Sequence, residues 1–363
     1  MRLTILMLFL AASTASALPR FAMMTGMECL NCHVNPTGGE LRNTAEAPYF
    51  EEDHLQLIPD HGKNKVDFNP QLTRDILIGG DIRFQYLYDG HTKESTFQSM
   101  DGAIYSAIHL HKSMRFYVKY DFINTAYEAY GLYDFNAGDS WVKVGAFAPS
   151  YGIRLDDHTA YTRGGNFGYL QGIPQLGLIF GPDYRSVGAE VGSKLGGFLV
   201  TADVTNGDGY SNLNFTSKKA LIGRVEYMTS GIVNLMLGGS GYFSSGIKMY
   251  GVQGGIGIDS RLVFLGEYDW ARNLPNGLLP PNVTSNAGMV QATYEIRNGL
   301  VAMGRFDYFK TYAGGPYYSR YILGVNIYPI LHLDLMPQIR LNTTDATGGS
   351  HPFEALIQSH VYF

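Results

Sequence analysis

Residues 353–363 read FEALIQSHVYF. Phe353, Ala355, Ile357, Val361 and Phe363 occupy alternate positions, and Glu354, Gln358 and His360 fall between them, so an extended chain would carry one apolar and one polar face. The same period of two recurs upstream. In DIRFQYLY (81–88), Ile82, Phe84, Tyr86 and Tyr88 oppose Asp81, Arg83 and Gln85. In RFYVKYDF (115–122), Phe116, Val118, Tyr120 and Phe122 oppose Arg115, Lys119 and Asp121; LVFLGEYDWA (262–271) separates Leu262, Phe264, Tyr268 and Trp270 from Glu267 and Asp269. The chain from about residue 72 onward is therefore read as a succession of half-buried β-strands.

The strands are expected to be about sixteen, centred near residues 82, 104, 118, 130, 144, 189, 201, 222, 237, 252, 266, 290, 304, 323, 336 and 358. Short turn signals such as NAGD (136–139), SG (230–231) and NG (298–299) alternate with longer polar stretches such as 208–216, 275–284 and 344–350. Composition agrees with a barrel in lipid: charged residues are 16%, aromatics 13% with 26 Tyr and 20 Phe, and mean hydropathy is −0.07. Lipid-facing apolar residues and lumen-facing polar ones average to that value. The competing architecture is a soluble β-sandwich, disfavoured because the face opposite the aromatics carries charge in place of a packed core. Arg83, Arg115, Lys119, Arg224, Glu226, Glu267, Asp269, Glu295, Arg297, Arg305, Asp307 and Arg340 all fall on that polar face. They come in both signs, so the lumen is expected to be wet or salt-bridged and names no solute.

The first seventeen residues, MRLTILMLFLAASTASA, join Arg2 to an apolar run and a small-residue end, the pattern of a secretory signal peptide. No later apolar run approaches the roughly 20 residues of a spanning helix. The domain expectation is a leader at 1–17, a short segment at 18–70 and a barrel at 71–363, in the bacterial cell outer membrane. An even strand count returns both termini to the periplasm. The net charge of −5 shows no basic stripe for nucleic acid.

The 18–70 segment contains MECLNCHVN (27–35), which holds the chain's two cysteines. Cys29, Cys32 and His33 make the C-x-x-C-H run at which two thiols can add to haem vinyl groups while the imidazole reaches the iron. A redox dithiol or disulfide and a zinc site using His54 or His61 are the alternatives. The exported compartment and the trailing histidine favour one covalent haem c, with His33 as its proximal ligand. Asn35-Pro36-Thr37-Gly38-Gly39 cannot continue a helix, so the chain turns away at once. A segment of this size is near the lower limit for independent folding and is expected to fold against the barrel as a plug. The sixth ligand stays open among Met24, His54, His61 and His158. The last lies in the unpatterned stretch 151–169, expected to be a lumen loop, a lid or an ordinary extracellular loop. Its Asp156-Asp157 pair is a further candidate cation site.

A leader, then ALPRFAMMTGMECLNCH (17–33), then a barrel resembles the fused monohaem cytochrome-porins of the outer membrane, whose best-known members oxidise iron(II). The likeness is closest over Ala17 to His33 and afterwards extends only to architecture, since VNPTGGELRN replaces the Phe/Pro/Leu-rich continuation of the iron-oxidising branch. The final aromatic strand likewise resembles the insertion signal of bacterial outer-membrane proteins. The resemblance implies haem on Cys29 and Cys32, ligation by His33, and single-electron exchange between an extracellular donor or acceptor, iron(II) or another metal, and a periplasmic carrier. The alternative is a passive porin for small solutes whose N-terminal segment is a structural plug or sensor.

Overall fold

The computed structural model describes residues 19–27, 29–44, 47–58, 68–90, 92–136, 139–155, 157, 159–165, 176–181, 184–207, 219–244, 246–275, 279–345 and 353–363. His61, His158 and Asp156 lie outside the described residues.

Sixteen antiparallel strands, from Ile76–Asp89 to Phe353–Tyr362, pair in sequence order. The last pairs with the first, from Glu354 opposite Asp89 to Tyr362 opposite Asp81, and closes the sheet into a barrel. Closure removes the two edge strands that an open sheet would expose to hydrocarbon. All sixteen expected strand centres lie inside these strands. A short extra strand, Gln71–Thr73, pairs with the start of the first one.

Alternation sorts the side chains as the sequence predicts. Along Phe353–Tyr362 the odd positions face outward and the even ones are buried. Leu237, Val290 and Leu323 lie on the outer surface. Exposed aromatics gather toward the strand ends, with Tyr120, Tyr127 and Trp270 at one end and Tyr133, Phe135 and Phe264 at the other. One expected lumen charge is corrected: Arg297 is exposed, because the ladder shifts register between Glu295 and Arg297 and the alternation breaks there.

Connections are short at one end of the barrel, for example 112–113, 196–197 and 298–299, and longer at the other, where 148–185, 206–219 and 273–283 lie. The first barrel strand begins and the last one finishes at the short-turn end. The lumen is filled from both ends. The N-terminal segment enters at the short-turn end, and Met23 and Met24 pack in the lumen with Met228, Met236, Val263 and Leu265. From the opposite end the described residues of the 148–185 connection fold inward, burying Tyr151, Ile153, Ala160 and Tyr161.

Candidate functional site in the barrel lumen

The C-x-x-C-H run is set by a compact series of local signals. Pro19 opens the helix Pro19–Thr25, a position that asks for no backbone donor. Gly26, at φ +71°, stops that helix, and its N–H donates to the Ala22 carbonyl at 2.7 Å. Cys29–Cys32 is then a single helical turn, closed by the His33 N–H on the Cys29 carbonyl at 2.8 Å. His33 next pairs as an isolated antiparallel bridge with Arg42, and the chain reverses between them.

The reversal is the NPTGG sequence at work. Asn35 Nδ2 donates to the Gly38 carbonyl at 3.1 Å, and the Thr37 hydroxyl donates to Asn35 Oδ1 at 3.1 Å. Gly38 sits at φ +85°, and a Cβ there would stand 2.9 Å from Cys29 Sγ. The turn therefore packs its backbone against the thiol, a close approach that needs glycine. Glu40 also takes a left-handed φ of 63°, uncommon for a residue with a side chain.

That conformation aims Glu40 at the barrel wall and the inward connection together. Its carboxylate accepts from Lys119 Nζ at 2.9 Å and the Tyr117 hydroxyl at 2.7 Å, and lies 3.7 Å from Arg185. Burial alone would raise the Glu40 carboxyl, but Lys119, Arg185 and Arg154, with the Tyr117 hydroxyl, outweigh it and hold it well below the ordinary value. Arg154 Nη1 donates to the Gly38 carbonyl at 2.5 Å. The N-terminal plug and the inward connection thus meet at Glu40 and Gly38.

The inward connection is clasped to the opposite wall. Arg163 is buried; it donates to Glu267 through Nη2 at 3.0 Å and to the Ile153 carbonyl through Nε at 2.7 Å. The Ile153 N–H and the Tyr151 hydroxyl donate to Glu267 and Asp269 at 2.7 and 2.9 Å. Gly152 has φ +57°, and a Cβ there would fall 2.0 Å from Glu267 Oε1, so this close approach needs glycine. Asp157 accepts from Arg305 at 2.6 Å and from Arg340 at 3.4 Å. Burial pushes its carboxyl up, while these arginines and the Thr159 donors pull it well below the ordinary value. Asp157 is thus neutralised by protein cations, and the Asp156 half of the candidate cation pair lies outside the described residues.

Between plug, connection and wall, three spaces meet around His33 and Arg42. The largest, about 180 Å³, is bounded by His33, Arg42, Asp81, Arg83, Arg154 and His360. A second, about 130 Å³, lies between Arg42, Phe21, Leu55 and the wall side chains Met303, Tyr328 and His360. A third, about 30 Å³, is lined by Cys32, His33, Met27, Phe50 and Leu55.

The structure brings Cys32 and His33 to these spaces, with Cys29 one helical turn before Cys32, and disperses the other candidates. His54 stacks on Phe50 at 4.8 Å and its Nδ1 lies 3.3 Å from Glu295 Oε2, at the short-turn end. Met24 is buried in the methionine-rich cluster with Met23, Met228 and Met289. His61 and His158 lie outside the described residues. Sequence reasoning placed His360 on the polar face without marking it as a site residue; its signal is an imidazole on the lumen side of a strand that closes the barrel. Among the described residues no group of three or more His, Cys, Asp and Glu side chains is arranged to hold a metal ion by itself.

Cys29, Cys32 and His33 fit a covalently attached haem. Two thiols stand one helical turn apart, Cys32 borders open volume, and the adjacent imidazole is buried yet borders open volume as well. The apolar lining at Phe21, Phe50 and Leu55 suits a porphyrin face, and Arg42 and Arg83 suit its carboxylates.

No family model and no curated protein matches the chain. Solved structures do. OprB of Pseudomonas putida aligns at TM-score 0.62 and 9% identity over 80% of this chain and 94% of that one. The anion-selective porin of Comamonas acidovorans aligns at 0.58 and 10% identity over 79% and 99%. The outer-membrane channel DcaP of Acinetobacter baumannii aligns at 0.58 and 12% over 82% and 99%. The chain has the porin-like barrel fold.

Proposed function

We propose that this chain is an outer-membrane porin-cytochrome in which Cys29 and Cys32 hold one haem c and His33 ligates its iron. In this reading it passes single electrons between an extracellular redox partner, iron(II) or another metal, and a periplasmic carrier. The observation that carries the reading is the position of the C-x-x-C-H run: His33 borders the lumen cavity at the junction of two inward segments, Cys32 borders the small space on its other side, and Cys29 stands one helical turn before Cys32. Bound there, haem c supplies reversible one-electron exchange. The protein's own share is positional and electrostatic. The thiols fix the group, His33 orients it, and Arg42 and Arg83 offset carboxylate charge. Plug and connection limit water and thereby set the potential. The apolar outer face contacts membrane lipid, and both termini are periplasmic.

The second reading is a passive porin for small solutes with the N-terminal segment as plug or sensor. The solved neighbours favour it, since they are porins and outer-membrane channels. Two inward segments clasped by buried ion pairs weigh against a wide open pore. One experiment separates the two. The protein is reconstituted in liposomes that enclose an oxidised acceptor, and a reductant too large to enter the pore is supplied outside. Electron transfer lost in the Cys29→Ser/Cys32→Ser variant supports the porin-cytochrome. Solute flux equal in parent and variant, with no electron transfer in either, supports the porin.

A further inference from the structure

Of the two spaces that His33 borders, the larger one is bordered, among the described residues, by one other imidazole and by no thioether. That imidazole is His360. It belongs to the last barrel strand, is buried, and faces the lumen opposite Arg83 in the ladder. The His360 ring also borders the second space beside Arg42, so it stands where the two larger volumes join.

A continuous set of contacts links the two histidines. His33 bridges Arg42 through the backbone, the Arg42 guanidinium lies 4.2 Å over the Tyr362 ring, and Tyr362 and His360 have ring centroids 5.1 Å apart. His360 further has a carboxylate at its side: Asp81 Oδ2 is 3.8 Å from Nε2, and the Tyr105 hydroxyl donates to that same oxygen. A carboxylate beside the ring is the common orienting partner of a ligating histidine.

We propose that His360 is the second axial ligand of the haem whose first is His33, so that the plug supplies one ligand and the barrel wall the other. The proposal rests on the porin-cytochrome reading. It makes the iron bis-histidine, which lowers its potential relative to a methionine-ligated one. It also ties the plug to the strand that closes the barrel.

The test uses full-length protein extracted in detergent, with haem followed by denaturing-gel staining and by spin state. The parent is expected to hold covalent low-spin haem that refuses carbon monoxide. His360→Ala should keep the covalent haem, turn it high-spin, bind carbon monoxide when reduced, and return to low-spin on adding free imidazole. His360→Met, which retains a ligand and most of the volume, should stay low-spin with a methionine charge-transfer band and a raised potential. His54→Ala should leave the parent spectrum unchanged. Covalent haem that remains low-spin, closed to carbon monoxide and unchanged in potential in both His360 variants overturns the proposal and leaves the porin-cytochrome reading standing. A parent without covalent haem overturns both.

Discussion

In the strand Thr284–Arg297 the direction of each side chain up to Ile296 follows from its parity, and its backbone partners lie on the adjoining strands. Glu40 obeys no such rule: it is held in a left-handed conformation by Lys119, Tyr117 and Arg185, which lie far away in the sequence. The wall is specified locally, by a period of two and by turns that set its register. The plug is specified by its surroundings. Its short helices, Pro19–Thr25, Cys29–Cys32 and Ala47–His54, are too short to be stable alone and take their shape from the lumen. The wall therefore should tolerate loss of the plug, and the plug should not survive loss of its clasps.

The largest expected effect comes from the inward connection. Arg163→Ala leaves Glu267 buried without its cation, and removing one member of a buried pair costs about 3–5 kcal/mol. Denaturant titration in lipid should show that loss in the lumen signal, while strand content stays at the parent level. Strand content falling in parallel would mean that wall and connection are one cooperative unit. The next effect is on the wall itself. Val290 lies mid-strand on the outer face, and Val290→Arg should cost about 2–4 kcal/mol in barrel folding from denaturant into bilayers. A neutral result would mean that this face does not meet hydrocarbon.

The plug clasp should be smaller. Glu40→Gln removes a charged acceptor from Lys119 and should destabilise plug docking by about 1.5–3 kcal/mol, read as faster protease cleavage in residues 19–58 with the barrel intact. Unchanged cleavage would show that apolar packing of Met23, Val34 and Leu41 holds the plug without the clasp. The smallest effect is that of mild acid. Glu40 and Asp157 both have folded values below their ordinary 4.5 and 3.8. The stability that they contribute is present above those ordinary values and is lost only as pH falls through the lower folded ones. Protease protection of the plug should therefore stay flat from about pH 8 to about pH 5. A drop within that window would place control of docking on another group.

The same contrast explains what could be read from the sequence. All sixteen strand centres were legible because Ile82, Phe84 and Tyr86, or Phe264 and Tyr268, repeat one rule. Arg297 was misassigned where a register shift, invisible to parity, intervened. Cys29, Cys32 and His33 stand out in the sequence because their spacing is that of a chemical motif. The inward fold of Tyr151–Arg163 was one of several options, since its closure depends on Glu267 and Arg305, more than a hundred residues away. His360 was hidden because in sequence it is one polar-face residue among many, and only the closed barrel sets it beside the cavity that His33 also borders.

The most direct measurement is a reduced-minus-oxidised visible spectrum of the detergent-extracted protein, produced in a host able to attach haem, beside the Cys29→Ser/Cys32→Ser variant. A c-type α-band that survives denaturation in the parent and is absent from the variant is the expected result. A colourless parent with an intact barrel would contradict the haem and leave a plugged porin.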